Sequence, residues 1–253
     1  MTDISHTTER AKIIKQARRV VIKLGTAVLM REDKGIALSR FYSFVESIAD
    51  IKQSGRDVLL VSSGAVGLGV ERLGLSRSEQ LLPLKQACAA IGQGRLMALY
   101  ADAFDRLDII SAQVLLTEED FSNRRRYLNL RGTVTKLLEL GALPIINEND
   151  TVSTAELESV DSSAYVKVNF GDNDKLSALM ASKIEADLLL ILTDVEGLYT
   201  ANPNSSTEAR LIPLVEEITQ GVEELAQSGD IIAVENSPDN IRDFAAGNDN
   251  GTA

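Results

Sequence analysis

Apolar and polar residues follow two alternating patterns along the 253-residue chain. Short, almost continuous apolar runs are typical of strands buried on both faces, and longer segments with apolar residues three or four positions apart predict helices. The apolar runs predict strands at Arg19–Leu24, Val58–Val61, Ile109–Leu116, Leu143–Ile146, Tyr165–Phe170 and Leu188–Leu192. Helices are predicted from a Ser39 N-cap to Gly55, from Gly64 onward, and over Pro83–Leu107, Arg124–Leu140 and Asp174–Ile184. Because strands and helices alternate, we expect an α/β fold, a three-layer open sandwich with a mainly parallel central sheet.

Composition and charge exclude several classes of protein. Hydrophobic residues make up 44% and charged residues 25% of the chain, as in ordinary globular proteins. The net charge is −11, of which nine acidic residues and one basic residue from Leu214 onward contribute −8. This acidic balance argues against nucleic-acid binding, and no apolar run approaches the ~20 residues of a membrane helix. The single cysteine, Cys88, excludes an intramolecular disulfide and fits a reducing cytoplasm.

A lysine stands at the carboxyl end of the first predicted strand, where open α/β sheets present ligands. Lys23 is followed by Leu24, Gly25 and Thr26, so a cation lies beside a predicted glycine turn. An ammonium group there suits a transferring phosphoryl group, whose oxygens backbone N–H groups can also hold. The alternative is a lysine that ends a strand in solvent.

Small residues link the second predicted strand to the next helix. The run Ser62-Ser63-Gly64-Ala65 enters a helix through hydroxyls and glycines, which favours an anion at the helix start. The following Gly67 and Gly69 would let a ligand approach the backbone closely. The run matches neither the dinucleotide-binding fingerprint nor the P-loop. A tight strand–helix turn without a ligand is the alternative.

Three further polar runs follow apolar strands. They are Asn147-Glu148-Asn149-Asp150, Gly171-Asp172-Asn173-Asp174 and Thr193-Asp194. Carboxylates and amides suit an ammonium group or metal-bound water, an aspartate can orient a lysine, and the last run could receive a nucleotide. The structural alternatives are an Asn/Asp turn, a helix cap and a capped β-turn, respectively.

These segments, in this order, resemble the amino acid kinase family. The Asn-Glu-Asn-Asp and Gly-Asp-Asn-Asp pairing, with Gly25 followed by Thr26 instead of a second glycine, is similar to the branch that phosphorylates glutamate. The resemblance covers roughly Arg19–Gly221 and implies a kinase domain at residues 19–227. Within it, a substrate lobe would span about 19–170 and a partial nucleotide lobe about 171–227. A flexible leader (1–18) would precede the domain, and a divergent acidic tail (228–253) would follow it.

The resemblance also implies residue roles. The implied glutamate-binding residues are Ser63, Gly64, Ala65, Asp150 (at the α-ammonium) and Asn173 (at a carboxylate), and the implied nucleotide-binding residues are Lys23, Gly25, Thr193 and Asp194. Lys23 and Asp174 would be catalytic: Lys23 would stabilise the transferring phosphoryl group, and Asp174 would organise the catalytic lysines. The implied reaction is attack of the L-glutamate γ-carboxylate on ATP, with Mg²⁺ carried by the nucleotide and no protein metal site. It would give γ-glutamyl phosphate, the first step of proline biosynthesis.

Further expectations follow from the resemblance. Proline would be a feedback inhibitor, the protein would form homo-oligomers in the cytoplasm, and neither nucleic acid nor membrane would be a partner. Aspartate or N-acetylglutamate as substrate, or a non-catalytic glutamate-binding regulator, are the alternatives. The family's Gly-Thr-Gly-Gly-Met segment with its second catalytic lysine is replaced by Ser228–Pro238, and a PUA domain is not seen. We therefore expect an incomplete nucleotide lobe and weak or no activity.

Overall fold

The computed structural model describes residues 12–31, 35–75, 82–153, 173–192, 197–201 and 206–215, with residues 217, 219 and 220. The strands are β1 (Arg19–Leu24), β2 (Asp57–Ser62), β3 (Ser111–Leu116), β4 (Leu143–Glu148) and β5 (Leu188–Leu192). The helices are α1 (Thr26–Leu29), α2 (Leu38–Gln53), α3 (Ala65–Leu73), α4 (Leu82–Asp105), α5 (Glu119–Ser122), α6 (Arg124–Glu139) and α7 (Asn173–Lys183). Within these ranges no helix is long and apolar enough to span a membrane.

The five strands form one sheet in the order β3-β4-β2-β1-β5. Every pairing between them is parallel, and Lys23 of β1 lies in register with Val61 of β2 and Ile191 of β5. The carboxyl ends of all five strands therefore meet at one edge of the sheet. The predicted mainly parallel sheet is confirmed.

Helices cover both faces of the sheet, which confirms the predicted three layers. One core cluster joins the sheet to α2 and α4 through Phe41, Phe44, Tyr100 and Phe104. The other joins it to α6 and α7 through Val134, Leu138, Leu176 and Met180. Apolar residues reach both clusters from the central strands, since those strands are buried on both sides.

The alternation of side chains along the strands decides which way the polar residues point. Ile22 and Leu24 of β1 belong to the core on the α4 side, whereas Val21 belongs to the core on the α7 side. Lys23 alternates with Ile22 and Leu24, so it faces α7. By the same period, Ser62 and Asn147 lie on the α4 side, because they follow Val61 and Ile146 of the opposite core.

Two glycines let α3 and α4 pack with their backbones in contact. A Cβ built at Gly92 of α4 would lie 1.7 Å from the carbonyl oxygen of Ala65, and one at Gly69 of α3 would lie 1.9 Å from that of Cys88. Gly69 was expected to admit a ligand. Its role in this structure is instead to admit a neighbouring helix.

The structure differs from the sequence-based expectations in some local details. Ser39 does not cap α2, which begins at Leu38 after Ala37, with no side-chain cap. Of the expected leader, residues 12–18 are described: residues 12–16 are helical and Ala17 is buried. β5, expected to be buried on both faces, lies at an edge of the described sheet, and Ile191 is 41% exposed. The predicted strand Tyr165–Phe170 lies outside the described residues.

Candidate active site

Lys23 and Asp174, the two residues expected to be catalytic, are in contact. Lys23 is buried within β1, where its side chain is only 7% exposed, and its Nζ lies 2.5 Å from Asp174 Oδ1. Asp174 is the second residue of α7, and its side chain is 39% exposed. The start of α7 therefore places a carboxylate over the end of β1, and the ammonium group is held at the border between protein and solvent.

Gly25, which follows this lysine, does not form the expected glycine turn. Its backbone is extended, with φ −72° and ψ 155°, a conformation open to any residue. Its N–H donates to the carbonyl of Leu192 at 3.0 Å, so the chain leaves β1 and β5 side by side. Thr193 and Asp194 follow Leu192 directly but lie outside the described residues.

A left-handed glycine turn does occur after β2. Gly64 has φ 104° and ψ 0° and precedes α3, which begins at Ala65. Among the described residues, no heavy atom outside the adjoining residues lies within 4 Å of a Cβ built at Gly64, so this part of the structure leaves open space on that side. Because the first N–H groups of a helix have no partner within it, this end of the nine-residue α3 favours an anion.

Asn173 joins the ends of β2 and β4. Its Nδ2 donates to the Ser62 carbonyl at 3.2 Å, to Ser63 Oγ at 2.7 Å and to Asn147 Oδ1 at 3.2 Å. Two of the expected substrate residues, Ser63 and Asn173, are thus in direct contact. Asp174 follows Asn173 in the chain. Two adjacent residues at the start of α7 therefore contact Lys23 on one side and Ser63 on the other.

The amide network continues into α4, a helix for which no role in the site was predicted. Asn147 Nδ2 donates to Gln93 Oε1 at 2.8 Å, and Asn147 Oδ1 accepts from the Glu148 N–H at 2.9 Å. Asn147 is 3% exposed. Its position as the first polar residue after an apolar strand was a usable signal, whereas Gln93 between Gly92 and Gly94 gave none.

Tyr100 is a second contribution of α4. Its hydroxyl lies 2.8 Å from Ser62 Oγ, and both side chains are fully buried. Burial raises the pKa of the Tyr100 phenol far above its usual value, and the bond to Ser62 only partly offsets that. The neutral phenol therefore satisfies Ser62 and supports the start of the Ser63 turn.

Asp150, the residue expected at the substrate ammonium, is half-buried in the turn after β4. The turn is fixed by the Asn149 N–H, which donates to the Leu116 carbonyl at 2.7 Å, and by Ser153 Oγ, which donates to Glu148 Oε1 at 2.7 Å. Gln86 of α4 donates to the Ser153 carbonyl at 3.1 Å. The same sheet edge therefore presents Asp150. Among the described residues there is no group of three or more His, Cys, Asp or Glu that could hold a metal ion.

The chain is similar in sequence to known kinases that act on an amino acid. Glutamate 5-kinase of Trichlorobacter lovleyi is 48% identical over 217 residues, or 86% of this chain and 55% of that protein. Glutamate 5-kinase of Methanococcoides burtonii is 43% identical over 216 residues, or 85% of this chain and 55% of that protein. The chain thus spans about half the length of the curated relatives it matches.

A solved structure described as isopentenyl phosphate kinase has the same fold. It aligns with a TM-score of 0.56 over 90% of this chain and 96% of that chain, at 16% identity, so the likeness concerns the fold alone. The family model described as the amino acid kinase family matches residues 18–234. Since this match includes most of the chain and every residue of the site described above, the protein belongs to the amino acid kinase family.

Proposed function

We propose that this protein transfers the γ-phosphoryl group of ATP to the γ-carboxylate of L-glutamate, giving γ-glutamyl phosphate and ADP. One observation supports this most directly. The buried Lys23 cation and the Ser63–Asn173 pair are joined through adjacent residues of α7 at one sheet edge. A phosphate site beside a small-molecule site is what direct transfer requires.

The phosphate side of the proposal is based on charge. Lys23 is a buried cation at this edge, and Asp174 holds its ammonium group in a defined direction. The electrostatic attraction between a triphosphate and Lys23 would be stronger than between the same charges in water, because the lysine is already desolvated. The N–H groups at the start of α3 would add a second positive region. Mg²⁺ carried by the nucleotide would neutralise further phosphate charge.

The amino-acid side is based on hydrogen-bonding capacity. Ser63 Oγ accepts from Asn173, so its own hydrogen points away from that amide and can donate to a carboxylate. The Asp150 carboxylate suits an ammonium group. Gly64, which directly follows Ser63, has open space beside its α-carbon among the described residues. Together they would bind both charged ends of an amino acid.

The chemistry needs few protein groups. A carboxylate is ionised at neutral pH, so no general base has to remove a proton. A γ-carboxylate oxygen would attack the γ-phosphorus while the bond to the bridging oxygen of ADP breaks. The protein's part is to align the two substrates and to place the Lys23 charge against the transferring group. Glutamate as acceptor, the cytoplasm as location, homo-oligomers and inhibition by proline are further parts of this proposal.

Calorimetry and a coupled ADP-release assay test the proposal together. We expect L-glutamate and MgATP each to bind. Because the sequence predicts weak activity at most, the informative result is the ranking of ADP release, which should be greater with glutamate than with aspartate or N-acetylglutamate. Ser63→Ala is expected to weaken glutamate binding while leaving ATP binding unchanged, and Lys23→Met is expected to do the reverse. Preference for another amino acid would overturn the substrate assignment. Glutamate binding without ATP binding would instead support a non-catalytic regulator.

A further inference from the structure

Backbone groups determine the orientation of every amide in the network around Asn173. The Glu148 N–H can only donate, so the atom of Asn147 that faces it must be Oδ1. The Ser62 carbonyl can only accept, so the atom of Asn173 that faces it must be Nδ2. Asn147 Nδ2 must then meet an acceptor, and Gln93 Oε1 is that acceptor at 2.8 Å. The chain of amides thus has a single direction.

The fixed direction of these hydrogen bonds extends to Ser63, a predicted glutamate-binding residue. Asn147 Oδ1 accepts from Asn173 Nδ2, and the same nitrogen donates to Ser63 Oγ. Its two hydrogens are shared among three oxygens, so a shift of Asn147 changes the bond that remains for Ser63. Asn147 is nearly fully buried, so water cannot easily replace a lost partner.

We propose that Gln93 is a positioning residue for substrate binding, acting from α4 through Asn147 and Asn173 on the direction of the Ser63 hydroxyl. It would do so without touching the substrate. The inference rests on the proposed function for its effect on glutamate, but the coupling between Gln93 and Asn173 does not depend on that function. Gln93 lies next to Gly92, which is in contact with Ala65 at the start of α3. The same helix, α4, would therefore hold the turn that carries Ser63 and direct the Ser63 hydroxyl.

Two variants of Gln93 separate positioning from simple loss of stability. Gln93→Met fills a similar volume but removes the acceptor for Asn147. Gln93→Glu keeps an acceptor oxygen at the same reach. Lys52→Met is the matched control, because Lys52 Nζ makes one partly buried bond, to the Ala142 carbonyl at 3.3 Å, at the opposite edge of the sheet. All three are made in the full chain, and urea unfolding gives their stabilities.

Two measurements decide the proposal. Side-chain amide exchange of Asn147 and Asn173 is followed by NMR, with assignments from Asn147→Asp and Asn173→Asp, and glutamate and ATP affinities are measured by calorimetry. In Gln93→Met we expect faster exchange at both amides, about tenfold weaker glutamate binding and ATP binding changed less than twofold. Gln93→Glu should restore protection of both amides. Lys52→Met should change stability without changing exchange or affinity.

Unchanged exchange at Asn173 in Gln93→Met would overturn the inference, as would a glutamate affinity equal to that of the wild type. If the wild-type protein binds no glutamate, the proposed function is wrong. The exchange rates then still decide whether Gln93 positions Asn173.

Discussion

Breaking the Lys23–Asp174 pair from its two ends should have unequal effects on stability. Asp174→Asn leaves the lysine charge in an environment where its side chain is 7% exposed, without the carboxylate that balances it. Lys23→Met removes the buried charge and keeps the apolar stem, and it leaves a carboxylate that is 39% exposed and can be solvated. We therefore expect Asp174→Asn to be the more destabilising change.

The magnitude follows from the separation of the charges. Two unit charges 2.5 Å apart attract by about 7 kcal/mol at an effective dielectric constant of about 20. Desolvation of the lysine, which costs several kcal/mol, offsets much of this attraction in the intact pair and remains when Asp174 loses its charge. Since Asp174 is partly exposed, we expect Asp174→Asn to cost about 2–3 kcal/mol, below the range for fully buried pairs. Lys23→Met should cost less than about 1 kcal/mol.

Equilibrium urea unfolding of the two single variants and the double variant measures these values and the coupling between the residues. Glu185→Gln is the matched control, because Arg131 and Glu185 form a pair at 2.8 Å whose side chains are 44% and 73% exposed. It should change the free energy of unfolding by less than about 0.5 kcal/mol.

Two results would contradict this expectation. One is that Lys23→Met is as destabilising as Asp174→Asn. The other is that the double variant is no more stable than Asp174→Asn, since removing the stranded charge should restore stability. Either result would mean that the lysine is well solvated without its partner.

Three further predictions concern stability, each measured by unfolding. Gly92→Ala places a Cβ 1.7 Å from a backbone oxygen and should cost about 3 kcal/mol. Gly94→Ala in the same helix meets no described residue within 4 Å and should stabilise by about 0.5–1 kcal/mol; equal effects would contradict the close contact at Gly92. Asn123→Ala removes the side chain that accepts from two N–H groups at the start of α6 and should cost about 1 kcal/mol, with no loss if the cap is unimportant. Asp187 accepts at 2.8 Å from the backbone N–H groups of residues 18–19, which lowers its pKa below the usual 3.8. Because the folded-state pKa of Asp187 is depressed, its contribution to the free energy of unfolding is present above about pH 4 and is lost as the pH falls through the folded value. The difference in stability between wild type and Asp187→Asn should therefore close in acid. A difference independent of pH would argue against this.

Hydrophobic periodicity was sufficient for most of the fold. β1 was predicted with both ends correct, and α6 was predicted to within a residue. An apolar run or stripe that ends at a glycine or a charged residue is compatible with few other secondary-structure assignments. The position of β5 could not be predicted in this way. Its apolar residues resemble those of a central strand, but strand order depends on which helix crosses which face, and that depends on contacts distant in sequence.

The site was predictable only in part. That Lys23, Ser63 and Asn173 lie at one edge of the sheet could be predicted, because each is a polar residue at the end of an apolar strand or the start of a helix. Their roles in binding and catalysis stay predictions. Gln93 and Tyr100 lie within a long helix of small residues, and nothing in their spacing distinguishes them from surface or core positions. Their contacts with Asn147 and Ser62 arise from which strand ends α4 crosses, a property of the tertiary structure alone.

The glycine contacts between α3 and α4 have a consequence for how this site can change over evolutionary time. Where main-chain atoms of two helices touch, their spacing is determined by the polypeptide itself and not by the choice of side chains around it. Neighbouring apolar residues can therefore be exchanged for others without altering the distance between α3 and α4. Drift in the surrounding core would leave the start of α3 in place, while a single added methyl group at Gly69 or Gly92 would displace it.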